Sequence, residues 1–147
     1  MKKFFLALSL SLAVVLTTAA HPAPKENPRA EQAFKKMFAG ASHVNWSETN
    51  EDLLQVSFVW GDHRTIAFFD KDAQLVGSIR GLFFKELPLS VAKSVTDNFN
   101  SPVVTQANEV FNEEGVNYLL VIENKGKKYN VRLNTHGQIL KKERIKK

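Results

Sequence analysis

Leu54-Gln55-Val56-Ser57-Phe58-Val59-Trp60-Gly61-Asp62-His63-Arg64-Thr65-Ile66-Ala67-Phe68-Phe69-Asp70 is the stretch that decides the fold. Strand-forming residues flank a two-residue Gly61-Asp62 loop, the signature of a β-hairpin whose turn needs positive φ. With the loop fixed, Trp60 opposes His63, Phe58 opposes Thr65, Val56 opposes Ala67 and Leu54 opposes Phe69. The larger apolar partners then share one face. The other face receives Gln55, Ser57, Val59, Arg64, Ile66 and Phe68.

The same hairpin recurs 64 positions later, where Tyr118-Leu119-Leu120-Val121-Ile122 falls under Leu54-Gln55-Val56-Ser57-Phe58 and Lys125-Gly126 supplies the loop. The match continues without a gap: Ala67 meets Val131, Phe69 meets Leu133, Asp70 meets Asn134 and Gln74 meets Gln138. A duplicated unit of about 60 residues is the simplest cause. The second loop pairs Ile122 with Tyr129, Leu120 with Val131, Tyr118 with Leu133, and Glu123 with Lys128.

Each copy is predicted to hold four strands, at 43–47, 53–60, 64–70 and 74–80, then at 103–111, 116–124, 127–134 and 138–145. Asp70-Lys71-Asp72-Ala73 and Asn134-Thr135-His136-Gly137 read as four-residue turns. A helix precedes each set. Ala30, Ala33, Phe34, Met37 and Phe38 recur at spacings of three and four between Pro28 and Gly40. In the second copy Leu87-Pro88-Leu89-Ser90 opens a stretch whose Val91, Val95 and Phe99 share a face, with Pro102 after it. The expectation is an α+β chain, a tandem repeat of a helix plus a four-stranded antiparallel sheet, with each helix covering its sheet's inward face.

The outward faces differ between copies. Lys128, Asn130 and Arg132 are polar, whereas Ile66 and Phe68 stand where Asn130 and Arg132 fall. A sheet with one solvated face alternates cleanly, so these groups call for a cover or a partner. Leaving them in water forgoes roughly 1.5–3 kcal/mol each. Three readings remain open: the apolar linker Gly81-Leu82-Phe83-Phe84-Lys85-Glu86-Leu87 folds over the face, the two sheets join so that Leu119 and Val121 pack against it, or a partner binds there. Trp46 reads as an indole buried between helix and sheet. Trp60, beside the hairpin tip, is the better candidate for recognition.

At 147 residues, 44% hydrophobic and 24% charged, the chain suffices for one compact domain or two very small ones, and disordered or collagen-like classes are excluded. Lys2 and Lys3 ahead of the uncharged run from Phe4 to Leu16 predict a secretory leader over 1–20, cleaved after Ala20. The run is short of the ~20 residues that span a bilayer, so no membrane span is expected after cleavage. The absence of cysteine excludes a lipoprotein anchor and disulfides. Periplasmic or secreted localisation follows. The organisation is then 21–28 as mature N-terminus, 29–80 as first unit, 81–87 as linker and 88–147 as second unit.

Removing Lys2 and Lys3 lowers the net charge from +5 to +3, of which residues 141–147 alone supply +4. The body is near neutral, which argues against a nucleic-acid partner, since that needs basic residues across a face. No catalytic constellation emerges. His21, His43, His63 and His136 show no ligand spacing, Asp70-x-Asp72 lacks the glycine and closing glutamate of a calcium loop, and no phosphate-binding glycine loop exists. No catalytic residue, metal or cofactor is therefore assigned. Asn45-Trp46-Ser47 matches the glycosylation pattern, which means nothing if the source is bacterial, and the leader alone does not settle the source.

The leader, the helix ending near Phe38, Val44-Asn45-Trp46, Phe68-Phe69-Asp70 with Leu75, Leu87-Pro88, and Tyr129-Asn130-Val131-Arg132-Leu133-Asn134 with Gly137 and Leu140 together resemble the PepSY-like, beta-lactamase-inhibitor-like proteins of the bacterial envelope. The resemblance runs from about Ala30 to Ile145, with Val110 standing where the first copy has Trp46. It implies a beta-lactamase-inhibitor-protein-like fold; those proteins grip an enzyme with the open face of the joined sheets and PepSY domains are linked to restraint of peptidases, but inhibition by this chain is not implied. Fold does not fix function. The reading reached is a non-enzymatic envelope module binding a protein through Ile66, Phe68 and Trp60, with Gln55 and Arg64 as polar rim. The competing reading is a carrier of a small apolar ligand, held between the sheet and the linker Leu82 to Phe84.

Overall fold

In the computed structural model, which describes residues 27–49 and 51–146, Asn27 caps helix α1 (Pro28–Met37) by accepting the Ala30 amide at 3.1 Å. Pro28 occupies the first turn, where its missing N–H costs nothing. The predicted leader over 1–20 and residues 21–26 lie outside the described residues.

Four strands follow, β1 (Ser42–Glu48), β2 (Leu54–Trp60), β3 (His63–Phe69) and β4 (Leu75–Gly81). A single 3₁₀ turn (Phe84–Glu86) leads into α2 (Leu89–Asn98), then β5 (Val103–Asn112), β6 (Gly115–Asn124), β7 (Lys127–Asn134) and β8 (Ile139–Ile145). No helix among the described residues is long and apolar enough to cross a membrane.

The hairpin registers are those the loops predict. Phe58 pairs with Thr65, Val56 with Ala67 and Leu54 with Phe69, while Ile122 pairs with Tyr129, Leu120 with Val131 and Tyr118 with Leu133. Both residues of each loop take positive φ, 54° and 65° at Gly61 and Asp62, 50° and 71° at Lys125 and Gly126, which matches the right-handed twist of the flanking strands.

Two separate four-stranded sheets do not form. All eight strands make one antiparallel sheet in chain order, because β4 and β5 pair from Ser78 opposite Phe111 to Gly81 opposite Asn108. Pairing satisfies two backbone edges that would otherwise lie open. The helices cover one face only. α1 seals a core of Ala30, Phe34, Val56, Phe58, Ala67 and Phe69, and α2 seals one of Val91, Val95, Leu120, Ile122, Val131 and Leu133.

The outer edges are blunted in different ways. β1 is interrupted by a bulge between Ser42 and Asn45, where His43 takes φ 54°. The edge of β8 carries Lys141, Lys142 and Arg144, and charged side chains disfavour strand-to-strand addition.

Candidate recognition face

Strand alternation and the observed registers assemble the uncovered face row by row. One row runs Asn45, Ser57, Ile66, Ile79, Val110, Asn117 and Asn134, crossing from β1 to β7. Beside it run Ser47, Gln55, Phe68 and Gly77 on one flank, and Asn108, Leu119, Arg132 and Lys141 on the other. Ile66 and Phe68 are thus joined through Ile79 and Val110 to Leu119 and Val121. The sheets meet edge to edge, so these groups form a continuous apolar band.

No helix or linker of the described chain lies over this band, and Ile66, Phe68, Ile79, Leu119 and Val121 are half-buried. Val110 and Asn117 are the deepest, at 9% and 5% exposed. Arg132 pairs with Glu114, in the turn that precedes β6, and so reaches from its cross-strand partner Leu119 toward the Asn117 row. Gln55 and Ser57 frame the band on one side, Asn108 and Asn130 on the other, so its surround is made largely of neutral amides and hydroxyls. Charged groups are scarce at the centre and aliphatic or aromatic groups prevail, the composition of an interface core.

The other predicted site residues divide. Gln55 and Arg64 lie on this face, with Arg64 exposed. Trp60 does not. It points to the helix side, where its indole N–H donates to the Ala39 carbonyl at 3.1 Å and its ring meets Phe38 at 5.4 Å. The loop after α1 reaches out to the hairpin tip and half-buries a side chain that proximity to the turn suggests is free. Trp60 therefore cannot join Ile66 and Phe68 in one contact surface. Trp46, by contrast, packs as expected between Phe34 and Phe69, at 5.5 and 6.0 Å.

The linker also runs on the helix side. The Leu82 amide donates to the Ala107 carbonyl at 2.9 Å, Leu87 enters the α2 core, and Phe83 lies 5.9 Å from the His63 ring. His63 Nε2 lies 3.3 Å from Glu86 Oε1, whose companion oxygen accepts the Phe83 amide at 2.7 Å. A cover over Ile66 and Phe68, or a ligand pocket between them and Leu82 to Phe84, is excluded because the sheet itself separates the two.

Sequence reasoning missed Ile79, Val110 and Asn117, which complete the band. It also missed a polar seam between the two helix-covered cores. There Arg80 lies over Trp60 at 5.9 Å with its Nε buried and without a hydrogen-bond partner. Nearby the Tyr118 hydroxyl donates to Glu109 at 3.2 Å. Burial, then the charge of Glu109 and that hydrogen bond, push the Tyr118 hydroxyl above the usual tyrosine range. Val110 does not occupy the place of Trp46: Trp46 opposes Val56, and Leu120, which matches Val56, opposes Ala107. Among the described residues no three His, Asp or Glu side chains gather to hold a metal.

The fold matches solved structures. A BLIP-like protein from Bacteroides fragilis superposes with TM-score 0.72 at 18% identity, covering 83% of this chain and 88% of its own. A Bacteroides eggerthii protein provisionally described as periplasmic gives 0.71 at 21% identity, over 83% and 91% of the two chains. A DUF2874 family protein from Bacteroides uniformis gives 0.71 at 20% identity, over 82% and 90%. These define the class as an α+β, BLIP-like fold, an eight-stranded antiparallel sheet layered by two helices. None of the names describes an enzyme, and none carries the PepSY-like part of the resemblance. No family model matches the sequence, and no curated protein does.

Proposed function

We infer that this chain is a non-enzymatic binding module of the bacterial envelope that recognises a protein through the uncovered face of its sheet. Ile66 and Phe68 act as anchors, and Gln55 and Arg64 as rim. The observation that carries this reading is the continuous apolar band from Phe68 to Val121 on a face that no helix, loop or linker covers among the described residues. The leader over 1–20, the periplasmic description of one neighbour and the BLIP-like shape support the location and mode. Membership of a PepSY-like family, descent from a duplicated unit divided at 81–87, and inhibition of the bound protein belong to the same reading.

The test uses the mature chain as bait in envelope extract, beside the variant Ile66→Asn/Phe68→Arg, which gives the first half the side chains of the second. Wild type should retain a partner that the double variant loses while keeping its circular dichroism spectrum. Equal capture by both folded proteins would refute the reading.

A further inference from the structure

We propose that the uncovered face docks a second copy of this chain, giving a two-fold dimer whose axis runs along the strands. The proposal rests on the recognition reading above and names the partner. Three features of the molecule point to a copy.

Size is the first. Eight strands at about 4.8 Å spacing, most of seven residues or more at about 3.3 Å each, span roughly 34 by 23 Å, or about 800 Å². That is the area each partner contributes to a stable protein complex of standard size. The band fills the middle of this area and amides flank it, so one patch supplies both the apolar centre and the hydrogen-bonding surround that a self-complementary contact requires.

Charge is the second. On the β5–β8 half, Glu123 and Lys128, Arg132 and Glu114, and Lys141 and Glu143 are paired within the chain. On the β1–β4 half Arg64 is the one charged residue of the face among the described residues. An axis parallel to the strands lays β1–β4 of one copy over β5–β8 of the other. Arg64 then meets the neighbourhood of Leu119 rather than its own mate, as it would if β3 lay over β3. Arg132 and Lys141, which share the Leu119 row, are each paired with a carboxylate, Glu114 and Glu143, so no unpaired cation faces Arg64 in that arrangement.

The blunted edges are the third feature. The bulge in β1 and the lysines of β8 oppose association by strand addition. With strand addition opposed at both edges, the uncovered face remains open to contact across its plane.

The native chain has no cysteine, so single cysteines report geometry cleanly. Sedimentation equilibrium of the mature protein should show a monomer mass that doubles with concentration. Ile66→Asn/Phe68→Arg should weaken association more than about a hundredfold. Asn108→Glu, which sets two carboxylates near the axis without touching the apolar band, should do the same if the double variant fails to fold. A short bis-maleimide should cross-link Asn108→Cys, beside the axis, and leave Asn45→Cys, at the far edge, unlinked. Cross-linking of Asn45→Cys in place of Asn108→Cys, or a dimer that persists in both face variants, overturns the proposal. A chain that stays monomeric at every concentration overturns it too. If that monomer still captures an envelope protein in a manner sensitive to Ile66 and Phe68, the recognition reading survives with a different partner, whereas loss of both results removes the two together.

Discussion

The two halves of the sheet share a topology and fill it differently. Under α1 the core is aromatic: Phe34 meets Phe58 at 4.9 Å and Phe38 meets Phe58 at 4.8 Å, with Trp46 and Phe69 beside them. Under α2 the core is mainly aliphatic, built on Val91, Val95, Leu120, Ile122, Val131 and Leu133. On the opposite face the contrast is one of polarity, with Ile66 and Phe68 in the first half and Asn130 and Arg132 in the second. The same strand positions thus carry apolar side chains in one half and polar ones in the other.

The comparison between faces breaks most sharply at adjacent residues. Phe69→Ala, which empties a fully buried site, should cost about 3–5 kcal/mol in urea unfolding, against roughly 1 kcal/mol for Phe68→Ala. Equal losses would place Phe68 in a core. The comparison between halves sharpens at the four-residue turns. A Cβ on Gly137 would lie 2.3 Å from the Ser90 carbonyl oxygen at φ +80°, so Gly137→Ala should cost about 3 kcal/mol. Ala73 holds the matching position at φ 64°. There Ala73→Gly relieves left-handed strain but loses a buried methyl and adds chain entropy, leaving stability within about 1 kcal/mol.

At the start of those turns the halves should agree. Asp70 Oδ1 accepts the Asp72 and Gln74 amides at 2.9 and 2.8 Å, and Asn134 Oδ1 accepts the His136 and Gln138 amides at 3.0 Å each. Asp70→Ala and Asn134→Ala should therefore each cost about 1 kcal/mol in the same assay. The smallest effect is alkaline. Tyr118 holds its proton more tightly folded than unfolded, so its contribution is complete below about pH 10 and declines as pH rises through and above that value. Tyr118→Phe should flatten that limb of a pH–stability profile.

Much of this was legible in the sequence where loops are short. Gly61-Asp62 and Lys125-Gly126 fix two registers outright, and with them which side chains face the helices. The pairing of β4 with β5 was not legible, because its connection passes through a 3₁₀ turn and α2 and carries no register of its own. Ile79, Val110 and Asn117 were overlooked for that reason, although each alternates correctly along its strand. Trp60 was misplaced because its contact with Ala39 comes from a loop 21 residues earlier in the chain, a long-range contact that local pattern does not encode.

The most direct measurement of the central claim is the unfolding free energy of Ile66→Asn/Phe68→Arg. A surface built for recognition predicts a cooperative transition within about 2 kcal/mol of wild type. A loss equal to that of Phe69→Ala, or a non-cooperative transition, would show that these side chains hold the protein together and that the face is not free to bind.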